Sequence, residues 1–242
     1  MSAVLLRDNI QLRDVLVSGI DYLKLSIDEN KIDGLMVYLE LLSKWNKAYN
    51  LSGIKDVEEM VRLHLLDSIV VNPFLKGKNI ADVGTGAGLP GIPLAILNPE
   101  KHFSLIDSNG KKTRFMTQVK AELELANIDV FHCRAEDFQT SEQIDMVLSR
   151  AFSSLQKFVD VCKTWTNSET LFLAMKGLVI EKEISQLPSN YQITDIHEVR
   201  IPEQREKPDN QNLDNIEEQS VKNVKTDQKI QRHLIEIRMR NC

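Results

Sequence analysis

The sequence predicts an α/β protein: a doubly wound, mostly parallel sheet of seven strands, preceded by an N-terminal helical extension. Three observations carry this. From Asn79 onward, short apolar runs alternate with segments of helical spacing, the pattern of strands joined by helical crossovers. Before Asn79 the apolar residues recur at helical spacing only. At the junction, Ile80-Ala81-Asp82-Val83 runs into Gly84-Thr85-Gly86-Ala87-Gly88-Leu89-Pro90-Gly91. Strand, glycine turn and helix start in that order build a nucleotide-type cofactor site.

The elements follow in order. Leu12 to Lys24 predicts a first helix with Gly19 as its soft spot, and Leu25-Ser26-Ile27 ends it. Asp28 is placed to N-cap a longer helix to about Lys47. Ile32, Leu35, Met36, Leu39 and Leu42 form its apolar stripe, and Tyr38, Leu41 and Trp45 widen it. Packing against the main domain accounts for these. For the mixed segment Trp45 to Ser52, packing and base stacking account for the aromatics equally well. Asp56 starts a third helix, with Glu59 at the capping-box position, running through Arg62 and His64 to Val71. A lone histidine in such a stretch is more often a hydrogen-bonded structural residue than a catalyst. Pro73 ends the helix.

Strands are predicted at 79–83, 102–106, 129–133, 144–149 and 170–175, with helices at 89–97, 110–125, 153–164 and 178–187. Two alternating segments, 191–200 and 234–239, complete the seven. The chain divides into a helical extension, 1–78, and a sheet domain, 79–242, carrying a polar insertion at 203–231. That insertion is expected to be a mobile loop with at most one marginal helix. Its main apolar residues, Leu213, Ile216, Val221 and Val224, bury too little surface to offset the ordering entropy.

The 242 residues suit one α/β domain with an appendage. Hydrophobic content of 42%, charged content of 27% and a net charge of −5 make an ordinary globular composition. No general basic field points to DNA, so RNA contact needs a local patch. The three cysteines, Cys133, Cys162 and Cys242, show neither metal spacing nor a disulfide framework. Val4-Leu5-Leu6 is too short for a signal-peptide core, and no apolar run reaches membrane-span length. A cytoplasmic monomer without a metal is expected.

The site residues cluster at predicted strand ends. Asp107 stands 21 residues after Gly86, where a carboxylate can accept bonds from both hydroxyls of a ribose. Ala135-Glu136-Asp137, Ser149-Arg150 and Lys176-Gly177 follow later strands. Lys111, Lys112 and Arg114 oppose a helix dipole, so they point to a nearby anion or lie on a solvated face. Arg150 ends a central run and is expected to pair with a cofactor carboxylate or a substrate phosphate.

The form G-x-G-x-G after Asp82 resembles the glycine motif of the Rossmann-like class I S-adenosylmethionine-dependent methyltransferases. The dinucleotide fingerprint would need a third glycine where Leu89 stands. Longer motifs sharpen the resemblance: Trp45-Asn46-Lys47 with Asn50-Leu51-Ser52, Arg62-Leu63-His64-Leu65-Leu66-Asp67-Ser68, Asp82 to Pro93, Asp107-Ser108, Ser149-Arg150-Ala151-Phe152 and Lys176-Gly177. Together these resemble the small-subunit ribosomal RNA guanine-N7 methyltransferases, also called glucose-inhibited division protein B. The match runs from about residue 12 to 200 and resumes at His233.

The resemblance implies methyl transfer from S-adenosylmethionine to N7 of one guanine in bacterial 16S rRNA, free or in a small-subunit particle. By motif it implies cofactor contacts at Gly84, Leu89, Ala135, Glu136 and Arg150. The physical argument adds Gly86, Gly88 and Asp107. Arg62, His64, Lys112, Arg114 and Lys176 are assigned to the RNA side. No catalytic residue is assigned, because guanine N7 carries a lone pair and no proton, so no general base is needed. The insertion departs from the family, which joins those two strands by a short turn, and the first eleven residues look additional. A nicotinamide-dependent oxidoreductase and a non-catalytic RNA-binding ribosome-assembly factor are the competing readings.

Overall fold

The alternation after Asn79 produces one seven-stranded sheet of order β3-β2-β1-β4-β5-β7-β6 in a computed structural model that describes residues 6–150, 152–177, 181–202 and 230–240. The strands are β1 (Asn79–Val83), β2 (His102–Asp107), β3 (Ile128–His132), β4 (Met146–Ser149), β5 (Leu171–Lys176), β6 (Tyr191–Ile201) and β7 (Ile230–Met239). The first five run parallel, and β7 pairs antiparallel with β5 and β6. Strand order reverses at β1: β2 and β3 lie on one side, β4 and β5 on the other. Ligands of open α/β sheets bind at such a switch point, outside the carboxyl ends of the strands.

The two faces of the sheet bury separate apolar sets, as the period of two requires. Ile80, Phe103, Leu105, Met146, Leu148 and Leu173 share one core with the N-terminal helices. These are α1 (Ile10–Tyr22) and α2 (Glu29–Tyr49), joined on that face by α5 (Gly91–Leu97) and α6 (Gly110–Glu122). On the other face Ala81, Ile106, Val147 and Phe172 pack with Phe158 and Val159 of α7 (Leu155–Cys162). All five stripe residues of α2 are buried, and Trp45 packs against Phe115 at 5.6 Å, so packing explains that ring.

Several expectations change in detail. Asn9 caps α1, accepting from the Leu12 N–H, so the helix begins before Leu12. Asp28 precedes α2 with extended backbone but makes no side-chain cap bond. The third helix is not one α-helix. It divides into α3 (Val57–Met60), a π-helical segment (Val61–Leu66) and α4 (Asp67–Ile69). Asp56 does cap it, accepting from the Glu59 N–H at 2.8 Å. Helix 178–187 shortens to α8 (Glu181–Ser185) within the described residues. The seventh strand starts four residues early: Ile230 and Gln231 pair with Ile201 and Arg200, so β-pairing claims the last two positions assigned to the insertion. Residues 203–229, the extreme N-terminus and Cys242 lie outside the described residues. Among those described, no helix is long and apolar enough to cross a membrane.

Gly19 lies inside α1 and is a close contact. A Cβ there would come within 2.3 Å of the Leu66 Cδ1 on the π-helical segment. Gly19→Val is therefore expected to cost about 1–3 kcal/mol in urea unfolding, the overpacking range, and a second change, Leu66→Ala, is expected to recover part of it. A neutral Gly19→Val would show that α1 and this segment are not in tight contact.

Candidate cofactor and acceptor site

The turn after β1 is held from several directions. Gly84, Gly86 and Gly88 all take positive φ, at 67°, 65° and 84°. That left-handed conformation is open to glycine at little cost. The Gly84 and Thr85 N–H groups donate to the Ile106 carbonyl at the end of β2. Asp82, fully buried, accepts through Oδ2 from the Thr85 hydroxyl at 2.6 Å and the Gly91 N–H at 2.7 Å. Tyr38 of α2, also buried, donates its hydroxyl to the Ala87 carbonyl at 2.7 Å. Leu89 is buried, and its N–H donates to the Thr85 carbonyl.

The glycines differ in what surrounds them. A Cβ on Gly88 would strike Ile92 at 2.3 Å, so its bareness serves the packing of α5. A Cβ on Gly86 would meet only the Lys112 Nζ, at 3.7 Å, leaving open space above the backbone. Asp107 closes the neighbouring edge. Its Oδ2 accepts from the Gly86 N–H at 2.8 Å and its Oδ1 from the Asn109 N–H at 2.8 Å. A carboxylate has further lone pairs for two more donors. Ala135 and Glu136 lie in a short turn after β3, where the Ala135 carbonyl accepts from the Trp165 indole and Glu136 is exposed.

Arg150, at the end of β4, is half-buried and already partnered. Its Nη1 donates to Asp67 Oδ2 at 2.9 Å and to the Leu63 carbonyl at 3.1 Å. Arg232 of β7 donates Nε to the other oxygen, Asp67 Oδ1, at 2.8 Å. Ile54, Leu63, His64, Asp67, Arg150, Met175, Gly177 and Arg232 line a cavity of about 360 Å³ at these strand ends. His64 lies in its wall with both ring nitrogens engaged: Nδ1–H donates to the Leu63 carbonyl and Nε2 accepts from the Ser52 hydroxyl. Burial, with Arg150 nearby, pushes this imidazole down to about 4, so it is neutral at pH 7.

The five residues assigned to RNA do not come together as one open patch. Arg62 is buried and ion-paired with Glu58. Lys176 is held by Glu183 at 2.8 Å and by the Phe152 carbonyl. Arg114 is exposed, its Nε bonded to the Gly110 carbonyl. Lys112 stands over the glycine turn, 4.0 Å from Asp107. Two members of the site escape sequence reasoning. Asp67 was visible only inside a longer motif. Arg232 directly follows a polar stretch without helical or strand signal before it, and nothing in the sequence links it to Asp67.

One oxygen, Asp82 Oδ1, is buried with no hydrogen-bond partner among the described residues. Desolvation pushes this carboxyl up to about 6 against the pull of its two hydrogen bonds. The folded-state value thus lies above the unfolded one, so ionisation costs stability, which falls as pH rises from about 4 through 6. Replacing Asp82 by Asn removes that titration. The stability difference between D82N and wild type is expected to move in favour of D82N by about 3 kcal/mol between pH 4 and pH 7. A pH-independent difference in urea unfolding would contradict the buried charge.

Comparison with known proteins agrees with this architecture. Among solved structures, a precorrin-6y C5,15-methyltransferase from Geobacter metallireducens matches with a TM-score of 0.51 at 12% identity, covering 72% of this chain and 86% of that one. Coclaurine N-methyltransferase matches with a TM-score of 0.50 at 11% identity, covering 78% of this chain and 72% of that one. The sheet is thus that of the class I methyltransferases. In sequence, the ribosomal RNA small subunit methyltransferase G of Stutzerimonas stutzeri (strain A1501) is 50% identical over 189 residues, 77% of this chain and 88% of that protein. The protein of the same name from Pseudomonas aeruginosa (strain LESB58) is 48% identical over 190 residues, 78% and 89% of the two chains. A family model described as GidB, rRNA small subunit methyltransferase G, matches residues 31–235. With the open glycine turn and the strand-end cavity inside that span, the chain belongs to the GidB family of rRNA small subunit methyltransferase G proteins.

Proposed function

We propose that this chain transfers a methyl group from S-adenosylmethionine to N7 of a guanine in 16S ribosomal RNA. The single observation that carries the reading is the juxtaposition of two spaces at the switch point: the open backbone above Gly86 and the cavity walled by His64, Arg150, Gly177 and Arg232. The first suits a methyl donor, the second an acceptor.

The residues fit the donor. Gly84 to Leu89 offer a turn where only the end of the Lys112 side chain comes near Gly86, and Asp107 retains lone pairs for ribose hydroxyls. Ala135 and Glu136 would mark the adenine side. The orphaned Asp82 Oδ1 suits a cationic amino group, and Arg150 a carboxylate. When bound, S-adenosylmethionine supplies a methyl group on a positively charged sulfur. This chain's own task is to align the acceptor with it, and holding two reactants in line contributes on the order of 7–11 kcal/mol. No residue lining the cavity is a free base. His64 uses both nitrogens internally, and Asp67 is tied to two arginines. Guanine N7 suits such a site, because it needs no proton removed. It lies on the Hoogsteen edge, accessible in a loop or with the base extruded. Of the five residues assigned to RNA, Lys112 and Arg114 stay accessible to phosphates.

Gly86→Val is expected to abolish S-adenosylmethionine binding in calorimetry while a cooperative melt remains. Asp107→Ala is expected to weaken it by roughly 1.5–3 kcal/mol, the range for a hydrogen bond to a charged group. Unchanged affinity in both would remove the turn from the donor site. With small subunits from a strain lacking the enzyme, the protein is expected to create one 7-methylguanine, read as chain cleavage after borohydride and aniline. Methyl incorporation without cleavage would mean another acceptor atom. No incorporation, with donor binding intact, would overturn the rRNA reading.

A further inference from the structure

The ion-pair cluster beneath the acceptor cavity has a construction that neither the glycine turn nor the sheet requires. Asp67 has both carboxylate oxygens engaged by guanidinium groups from distant parts of the chain, Arg150 after β4 and Arg232 in β7, while its side chain is 2% exposed. The charges sum to one net positive. Such a buried cluster is weak as a source of stability, because desolvation offsets much of the attraction, but it fixes geometry.

The backbone beside it is adapted to the same end. Asp67 follows the π-helical segment, and its N–H points back to the carbonyls of Arg62, His64 and Leu65, not of Leu63. Leu63 instead turns its carbonyl to the Arg150 Nη1 and the His64 Nδ1–H. Widened turns of this kind concentrate at functional sites, where they redirect a carbonyl or side chain. The Ser68 hydroxyl donates to the His64 carbonyl at 2.5 Å, closing the local network.

We infer that Asp67 is a positioning residue for the methyl acceptor: by dividing its carboxylate between Arg150 and Arg232 it fixes two guanidinium groups in one wall of the cavity, so that Arg232 holds the phosphodiester of the target nucleotide in register with a donor whose carboxylate Arg150 takes. This rests on the RNA reading above. It makes the N-terminal extension part of the reaction geometry and not only a cover for the sheet. Arginine suits both places, since its planar fork can serve Asp67 and a second oxyanion, carboxylate or phosphate, at once, which a lysine cannot.

The test uses the full-length protein, small subunits lacking the modification, and saturating S-adenosylmethionine. Asp67→Asn keeps the shape and removes the charge. Arg232→Lys keeps the charge and removes the fork. In each, kcat is expected to fall by at least about tenfold, the scale of a misaligned reactant, with KM for the particle within about threefold. Arg232→Lys is expected to leave the salt dependence of kcat/KM unchanged, since the number of cations is the same. The double variant is expected to be no slower than the slower single one, because both break one unit. Calorimetric donor affinity and the melting transition are followed in parallel. An Asp67→Asn variant with wild-type kcat, whatever its melting temperature, overturns the inference, as do losses that multiply in the double variant. If Asp67→Asn does not fold, Arg232→Lys decides alone, by the same kcat criterion. Wild-type protein that methylates no RNA would instead bring down the RNA reading on which this inference rests.

Discussion

The glycine turn after β1 is fixed by hydrogen bonds that reach it from three separate elements. Asp82 of β1 ties its start to its end, bonding Thr85 and Gly91 through one oxygen. Asp107 of β2 accepts from the Gly86 N–H, and the Tyr38 hydroxyl of α2 donates to the Ala87 carbonyl. A loop with three left-handed glycines would otherwise lose more conformational entropy on ordering than any other stretch of equal length. Each bond contributes only about 1 kcal/mol net, yet leaving a buried partner unmade costs about 1–3 kcal/mol, so the set is self-enforcing. The position of α5, the approach of β2 and the seating of α2 all follow from it.

The Tyr38 contact explains why the helical extension shares a core with the sheet. Its ring packs near Phe115, which in turn meets Trp45, so α2 and α6 close over the turn together. Further along, the same extension supplies Asp67 and the Leu63 carbonyl to Arg150. The glycine turn and the strand-end cavity are thus both braced by residues before Asn79. Electrostatics agree with this arrangement. The chain is net negative, and the cavity is the place where two guanidinium groups converge on one acid.

Much of this was legible in the sequence, for identifiable reasons. Strands β1, β2 and β5 are buried on both faces, so they read as continuous apolar runs, and the glycine turn announces itself by spacing. Asp107 could be placed because it ends a strand. The π-helical segment could not, because one extra residue per turn leaves the apolar spacing of Val61, Leu65 and Ile69 looking helical. Arg62 and Lys176 looked available to RNA, although the i, i+4 spacing does name Glu58 as the partner of Arg62 and only Lys176 lacks such a local rule. Glu58 is one helical turn away, and Glu183 lies beyond α8's start. Arg232 gave no signal at all, because its meaning depends on an acid 165 residues earlier in the chain. The early start of β7 was likewise hidden: Ile230 and Gln231 are strand residues by virtue of what they pair with.

The central claim is that the glycine turn is preformed, held by protein groups before any ligand arrives. Native-state hydrogen exchange of the ligand-free protein tests it directly, at the Thr85 and Gly91 amides, bonded to the Ile106 carbonyl and to Asp82 respectively. The account predicts that both exchange only through global unfolding, with opening free energies within about 1 kcal/mol of those of the β1 amides. Exchange of these two amides through a low-energy local opening, with β1 still protected, would contradict it.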